Sequence, residues 1–325
     1  MVEINNTLIN AVRQLLQNGR SFLVVSHIRP DGDAIGSLLG LGMALQHASK
    51  DVQMVLVDGV SHSFHHLPGS ELVLRRPNAA YDTAIVLDCS DLVRTGGVLG
   101  ERQPDLNIDH HITNLSFARI NFVNPSAAAT SAILAGYLED WGLTITTPVA
   151  EALMTGLVSD TIGFRTSNVT PETLRLAAKL MERGANLSDL YSRALLHRSF
   201  ESALYWGPAL SRLQRNGRLI WTSLTLADRE LANYNGNDDA DLINTLSSID
   251  ESDIALVFIE QKGKRVKVSW RSQNGYDVSQ IALQFGGGGH PAAAGVELVG
   301  ELESVQAMIL KATQKMMENN IFINE

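Results

Sequence analysis

Aspartate and histidine residues of the kind that bind divalent cations recur in four separate segments of the chain. The segments are HIRPDGD, VLDCSD, NIDHH and LVSDT, and their candidate ligands are His27, Asp31, Asp33, Asp88, Asp109, His110, His111 and Asp160. Hard dications favour carboxylate oxygens, imidazole suits manganese and zinc, and two ions about 3.5–4 Å apart need about seven ligand positions with one shared carboxylate. The set therefore predicts a two-ion centre of the kind that hydrolyses phosphate bonds.

No single segment would carry this conclusion. An Asp-Gly-Asp sequence such as Asp31 to Asp33 is often only a turn followed by a helix N-cap, and a loop acid or a His-His pair is common on protein surfaces. Asp160 is harder to explain in that way, because it lies in an apolar helical stretch where an unpaired carboxylate would be costly. The four segments together favour one shared site.

The elements that must position these residues can be identified from the apolar pattern. Up to about residue 185, short runs typical of strands (SFLVVSH, VQMVLVD, TAIVLDCS and LNIDHH) alternate with helical patterns, which predicts a parallel α/β sheet. His27, Asp88 and the Asp109–His111 triplet fall at the carboxyl ends of these runs, where such sheets collect their reactive residues. We expect a first domain over 1–186, a helical linker over 187–214, and a smaller α/β domain over 215–325.

Composition excludes disordered, collagen-like and disulfide-rich proteins. The chain has 325 residues, of which 45% are hydrophobic and 19% charged, as in ordinary globular proteins of two domains. Neither a signal peptide nor a membrane-spanning run is visible, and the lone Cys89 has no intrachain disulfide partner, so we expect a cytoplasmic protein without membrane contact. The net charge of −9 argues against long contacts with duplex phosphates.

The four segments resemble the motifs of the DHH phosphoesterase superfamily, named for the Asp-His-His triplet that stands here at Asp109 to His111. The superfamily includes RecJ-type exonucleases, type II inorganic pyrophosphatases and small nanoRNases that also dephosphorylate 3′-phosphoadenosine 5′-phosphate (pAp). The resemblance covers almost the whole chain and implies two ligand sets, which are His27, Asp31 and Asp88 for one ion, and Asp33, Asp88, His110 and Asp160 for the other. It further implies three catalytic residues: Asp88 as the bridging ligand, Asp109 orienting the histidines, and His111 contacting or protonating the phosphoryl group.

The carboxyl-terminal half carries a second resemblance. FGGGGHPAAAGV, at 285–296, is similar to the signature of the DHH-associated C-terminal domain of RecJ-like and nanoRNase-like members, and it differs from the corresponding part of type II pyrophosphatases. A glycine run lets backbone N–H groups approach a phosphate or sugar closely, and an arginine can clamp a phosphate or stack on a base. We therefore expect substrate contacts from Arg165 in the first domain and from Arg271, Gly287, Gly288, Gly289 and His290 in the second.

Size and charge favour short substrates, because 325 residues leave no obvious room for a domain that threads a long strand. The closest resemblance, to the bifunctional nanoRNase and pAp phosphatase branch, implies hydrolysis of short single-stranded RNA or DNA, or of pAp, in a cleft between the domains. The implied cofactors are two divalent ions, Mn²⁺ first and Mg²⁺ or Co²⁺ otherwise. A cyclic-dinucleotide phosphodiesterase, a RecJ-like exonuclease and a non-catalytic nucleotide-binding module stay open as alternatives, as does a homodimer, whereas the glycine-rich segment disfavours a pyrophosphatase.

Overall fold

The chain folds into two compact units in the computed structural model, which describes residues 4–273 and 275–318. The first unit ends at His197 and the second begins at Arg198, a boundary that lies within the stretch predicted to be a helical linker. Each unit combines one β-sheet with several helices. The predicted α/β class is therefore confirmed.

A five-stranded, fully parallel sheet forms the centre of the first unit, with the strand order β2-β1-β3-β4-β5. The strands are β1 Ser21–Val25, β2 Asp51–Val55, β3 Thr83–Leu87, β4 Leu106–Asp109 and β5 Ile120–Val123. The strand order reverses between β1 and β3. Open parallel sheets bind ligands outside the carboxyl ends of their strands at such a point.

Apolar side chains cover both faces of this sheet, as expected for parallel strands buried on two sides. Phe22 and Val24 of β1 belong to the main core formed with the helices, whereas Leu23 and Val25 belong to a smaller cluster on the opposite face. Successive side chains of a strand alternate between faces, so β1 has no polar face. The first polar side chains beyond these apolar residues therefore lie in the loop that directly follows β1.

Six helices accompany the first sheet. They are α1 Asn6–Asn18, α2 Gly32–His47, α3 Thr130–Tyr137, α4 Thr147–Asp160, α5 Pro171–Glu182 and α6 Leu187–Tyr191, the last followed by a π-helical turn at Ser192–Leu196. Helices α2 and α4 are buried over most of their length. Such buried helices carry apolar residues on all sides and are not amphipathic.

Glycines allow α2 and α4 to approach at backbone distance. A methyl group on Gly36 would collide with the carbonyl oxygen of Ala152, and one on Gly156 would collide with Ser131 and Asp33. Because Gly36 lies near the beginning of α2 and Gly156 near the end of α4, the beginning of one helix lies beside the end of the other.

The described residues of the second unit form a six-stranded mixed sheet with the order β10-β11-β9-β8-β7-β6, in which β7 and β8 pair in parallel and the other described pairs are antiparallel. Its strands are β6 Gln214–Asn216, β7 Leu219–Leu224, β8 Ile254–Gln261, β9 Arg265–Ser272, β10 Gly288–His290 and β11 Ala293–Val299. Its helices are α7 Phe200–Ser211, α8 Leu226–Leu231, α9 Leu242–Leu246, α10 Ser279–Gln284 and α11 Leu302–Glu318. Residues of α10 and α11 pack on one face of the sheet, and residues of α7 and α9 pack on the other.

Several short elements were not predicted, namely β5, β6, β10, α8, α9 and α10. Strand β5 has the sequence INFV and fully buries only Phe122, so it lacks a continuous apolar run. The three helices have five or six residues each, which is less than two turns. A helical period of 3.6 residues cannot be recognised over so short a segment.

The glycine run forms part of a strand pair. Gly288–His290 is β10 and pairs antiparallel with β11. A methyl group on Gly287 would collide with the carbonyl oxygen of Gly295, and one on Gly289, whose φ is +144°, with that of Ala293. Strand pairing therefore accounts for two of the glycines, whereas a methyl on Gly288 would meet no described atom within 4 Å. The side chain of His290 lies outside the described part of the structure.

Two expectations from composition concern the thiol and the membrane. Cys89 is fully buried in the smaller apolar cluster of the first sheet, as expected for a cysteine that packs as a small hydrophobic residue. None of the helices described here combines the length and apolar character needed to cross a bilayer.

Replacing Gly36 by alanine is expected to destabilise the protein by about 1–3 kcal/mol, because α2 and α4 would have to separate. Gly136→Ala is the matched control: it lies in α3, and the atom nearest to its added methyl is 3.9 Å away. Alanine's higher helix propensity should stabilise that variant by about 0.5–1 kcal/mol. Urea unfolding followed by circular dichroism measures both, and an unchanged unfolding free energy for Gly36→Ala would contradict the tight contact.

Candidate metal centre

Strand ends and helix ends of the first unit place the predicted ligands in one region. His27 and Asp88 follow β1 and β3, and Asp109 is the last residue of β4. Asp31 is the N-cap of α2, and Asp160 is the last residue of α4. Residues far apart in sequence therefore meet at the carboxyl edge of the sheet, beside the reversal of strand order.

The beginning of α2 fixes two carboxylates. Asp31 Oδ1 accepts hydrogen bonds from the backbone N–H groups of Asp33 at 3.1 Å and Ala34 at 3.0 Å, so it caps the helix. The Asp31 side chain is exposed, whereas Asp33 is buried. Capping and metal binding are compatible roles for Asp31, because each carboxylate oxygen has more than one lone pair.

Asp88 lies between the histidines of the cluster. Its φ is +55°, a left-handed conformation that is uncommon for a residue other than glycine and that often marks a functional site. Asp88 Oδ2 lies 3.4 Å from His27 Nε2, and Asp88 Oδ1 lies 3.6 Å from His110 Nε2 and 3.7 Å from His111 Nδ1. Its two oxygens thus face different histidines, as a shared ligand requires.

The donor atoms form three overlapping groups, each with three atoms within 4.8 Å of one another. The groups are His27, Asp31 and Asp88; Asp33, His110 and Asp160; and Asp88, His110 and His111. Carboxylate oxygens mixed with imidazole nitrogens are the donors expected for a divalent cation such as manganese. The first two groups contain the residues assigned from sequence to the two ions, and the third places His111 beside them.

The carboxylates are crowded enough to separate their pKa values. Burial, together with the charge of Asp88, raises the pKa of Asp33 to about 6, and burial with the charges of Asp33 and Asp88 raises the pKa of Asp160 to about 9. Burial also acts to raise the pKa of Asp88, but a hydrogen bond from His27 and the neighbouring imidazoles outweigh it and lower that pKa. A cation would relieve this repulsion.

Burial affects the pKa values of the histidines in the opposite sense, although these values are also raised overall. Burial acts to lower the pKa values of His27, His110 and His111, yet the surrounding carboxylates outweigh it and raise all three. The main opposing influence is Asp88 for His27 and His110, and Asp109 for His111. The site therefore has a strong negative potential that attracts positive charge.

Asp109 organises the second half of the cluster from a fully buried position. Its Oδ1 accepts hydrogen bonds from the His110 backbone N–H at 2.9 Å and from His111 Nδ1 at 2.7 Å, while Oδ2 accepts one from the Asn114 amide at 2.5 Å. The ring of His110 instead directs Nδ1 to the carbonyl oxygen of Ala127 at 3.4 Å. Asp109 thus orients the His111 ring and the His110 backbone, and a different group orients the His110 ring.

The two arginines predicted to contact substrate lie in different units. Arg165 is exposed in the loop after Asp160, and its backbone N–H donates to the Thr161 carbonyl oxygen at 2.8 Å. Arg271 lies in β9, where its Nε–H donates to Asn244 Oδ1 at 3.1 Å and burial lowers its pKa. The Arg271 guanidinium is therefore held in place within its own unit.

Sequence analysis missed three residues that bind the cluster's carboxylates. Asn114 donates to Asp109, and the backbone N–H groups of Thr130 and Ser131 both donate to Asp33. One signal was available, because Thr130 and Ser131 interrupt an alanine-rich run at the beginning of an apolar helix, where polar residues are common.

Comparison with known families identifies the class of protein. The model of the DHH family, N-terminal domain, matches residues 21–157, and that of the DHHA1 domain matches residues 226–318. The chain belongs to the DHH family and is a phosphoesterase, as its four motifs predicted.

Relatives cover nearly the whole chain. A Thermus thermophilus protein named bifunctional oligoribonuclease and PAP phosphatase NrnA is 34% identical over 90% of this chain and 89% of its own length. The Bacillus subtilis protein of the same name is 27% identical over 84% of this chain and 87% of its own. The crystal structure of an exopolyphosphatase-related protein from Bacteroides fragilis matches 98% of both chains with a TM-score of 0.87 and 25% identity. The predicted resemblance to the nanoRNase and pAp phosphatase branch is confirmed.

The EDTA-treated protein is expected to lose stability as pH rises. Because the pKa of Asp160 goes from its ordinary 3.8 to about 9 on folding, the folded chain takes up a proton, and stability falls between these two pH values. Asp160→Asn should lower the slope of the unfolding free energy against pH by up to about 1.4 kcal/mol per pH unit. Urea unfolding between pH 5 and pH 8 measures it.

Asp140→Asn is the control for this experiment, because Asp140 is an exposed carboxylate outside the cluster. It should leave the pH dependence unchanged. Parallel curves for wild type, Asp160→Asn and Asp140→Asn would contradict the crowding of charge around Asp160.

Proposed function

We propose that the protein binds two divalent cations, with Mn²⁺ the first candidate and Mg²⁺ and Co²⁺ the others, and hydrolyses phosphate bonds in short oligonucleotides and in pAp. The main support is the position of Asp88, which belongs to the donor group of His27 and Asp31 and whose Oδ1 lies 3.6 Å from Nε2 of His110, a member of the group with Asp33 and Asp160. A carboxylate shared by two groups is the arrangement that a pair of ions needs. In this scheme 1–186 is the catalytic domain, 187–214 a helical linker, and 215–325 the substrate-binding domain.

The donor set fits such ions in number and chemistry. His27, Asp31 and Asp88 would hold one ion, and Asp33, Asp88, His110 and Asp160 the other. Bound dications would lower the pKa of a water molecule and offset the charge that develops on phosphoryl oxygens. The crowding of buried acids beside imidazoles supports the same assignment, because it is unfavourable without a positive partner.

The chain's own residues then supply orientation and a proton. Hydrolysis forms a P–O bond to the oxygen of water and breaks the ester P–O bond, so the attacking water gives up a proton to the solvent and the leaving oxygen takes one up. His111 would provide this proton or contact the phosphoryl oxygen. The hydrogen bond from its Nδ1 to Asp109 fixes the ring, so Nε2 would be the nitrogen that acts on the substrate. Asp109 acts through His111 and does not touch the substrate.

Short substrates are supported by charge and by the relatives. The names of the Thermus thermophilus and Bacillus subtilis proteins refer to an oligoribonuclease and a PAP phosphatase. The net charge of −9 disfavours an extended basic groove. Arg165 and Arg271 would bind only a few phosphates, and Gly288, with open space beside it, would let a phosphate or sugar approach the backbone.

Asp88→Asn is expected to reduce kcat by at least about 100-fold, because the amide cannot serve both ions as a shared anionic ligand. The fold should persist, since the amide has nearly the shape of the carboxylate. Release of phosphate from pAp in Mn²⁺ measures the loss, with Asp140→Asn as the control. A folded Asp88→Asn protein that turns over like wild type would refute the shared-ligand assignment.

Activity in Mn²⁺ is expected to decrease as RNA lengthens from two to about twenty nucleotides, because the proposed site offers few basic side chains to bind phosphates. A panel of pAp, dinucleotides, RNA of five and twenty nucleotides, cyclic dinucleotides and pyrophosphate tests this at physiological salt. Equal rates per enzyme on twenty-nucleotide and two-nucleotide RNA would favour a RecJ-like exonuclease. Faster hydrolysis of cyclic dinucleotides or of pyrophosphate would instead show that the proposed substrates are wrong.

A further inference from the structure

The beginning of α3 is capped by a residue from another helix. Its N-cap is Ala129, whose side chain makes no capping hydrogen bond. Asp33, 97 residues earlier than Thr130, fills this role: its Oδ2 accepts the Thr130 N–H at 2.6 Å and its Oδ1 accepts the Ser131 N–H at 3.0 Å. The N-terminus of a helix stabilises negative charge, so α3 holds Asp33 by both oxygens.

Thr130 makes a further contact from the same position. Its hydroxyl donates to Asp88 Oδ1 at 3.0 Å, and both residues are buried. One residue therefore binds two carboxylates, Asp33 through its backbone and Asp88 through its side chain. Threonine is suited to this task, because its branched side chain has few χ1 rotamers in a helix and the one adopted here directs the hydroxyl at Asp88.

We propose that Thr130 is a positioning residue that sets the orientation of the Asp88 carboxylate relative to Asp33. This inference rests on the proposed function, in which Asp88 is shared by two ions and Asp33 binds one of them. A carboxylate can rotate about its terminal bond, and a shared ligand must keep each oxygen directed to a different ion. The Thr130 hydroxyl restrains that rotation, and the link to Asp33 relates the two donor groups to each other.

The test compares Mn²⁺ binding to EDTA-treated, dialysed proteins by titration calorimetry. Thr130→Val keeps the shape of the side chain and removes the hydroxyl, so we expect the Kd for Mn²⁺ to rise by about 10- to 100-fold, as for other groups that orient metal ligands. Thr130→Ser keeps the hydroxyl and should bind within a few-fold of wild type. If Thr130→Val does not fold, Thr130→Ala and Thr130→Ser form the same comparison.

Thr155→Val is the matched control. Thr155 is also fully buried in the first unit, but its hydroxyl donates to the Glu151 carbonyl oxygen at 2.9 Å within α4. It should bind Mn²⁺ like wild type, which would separate the effect of the Thr130 hydroxyl from the general loss of a buried one.

The outcomes distinguish the two proposals. Mn²⁺ binding to Thr130→Val with wild-type affinity would overturn the inference alone, as would equal weakening in Thr130→Ser or in Thr155→Val. If wild type binds no Mn²⁺, the proposed two-ion centre falls and this inference falls with it. Weakening confined to variants without the Thr130 hydroxyl would support it.

Discussion

Two buried carboxylates, that of Asp88 at the end of β3 and that of Asp33 at the beginning of α2, repel each other. Charges interact strongly where water is scarce, and burying a charge without a partner is costly. The chain tolerates them because backbone N–H groups of α3 hold Asp33 and imidazoles surround Asp88. Much of the surrounding architecture can be understood as the means by which these two groups are kept close together.

The parallel sheet is the first of these means. Strands β1, β3 and β4 are adjacent and end at the same edge, so each delivers its polar residues to one place without a long excursion of the chain. The helix ends supply three further carboxylates: Asp31 and Asp33 where α2 begins, and Asp160 where α4 ends. Strand ends and helix ends therefore each supply part of the candidate donor set.

How far the sequence predicts this arrangement depends on the range of the interactions. Strands buried on both faces appear as continuous apolar runs, and candidate metal ligands are recognisable by residue type, so the sheet and the segments that carry these candidates could be inferred directly. The half-buried β5, with the sequence INFV, has no such run. The role of Thr130 was invisible for another reason, because its partners Asp33 and Asp88 are distant in sequence and only tertiary packing joins them. Likewise, the glycine run indicated open backbone, whereas Gly287 and Gly289 are required by the pairing of β10 with β11.

The close passage of α2 against α4 at Gly36 and Gly156 has a geometric consequence. Asp33 and Asp160 each lie about one helical turn, roughly 5 Å along the axis, from the place where the two backbones touch. A small angular error at a pivot displaces a nearby point much less than a remote one. The separation of these two carboxylates is therefore tolerant of bending at the opposite ends of the helices, near His47 and Thr147, and substitutions there can alter the rest of the unit while leaving the spacing of the two carboxylates intact.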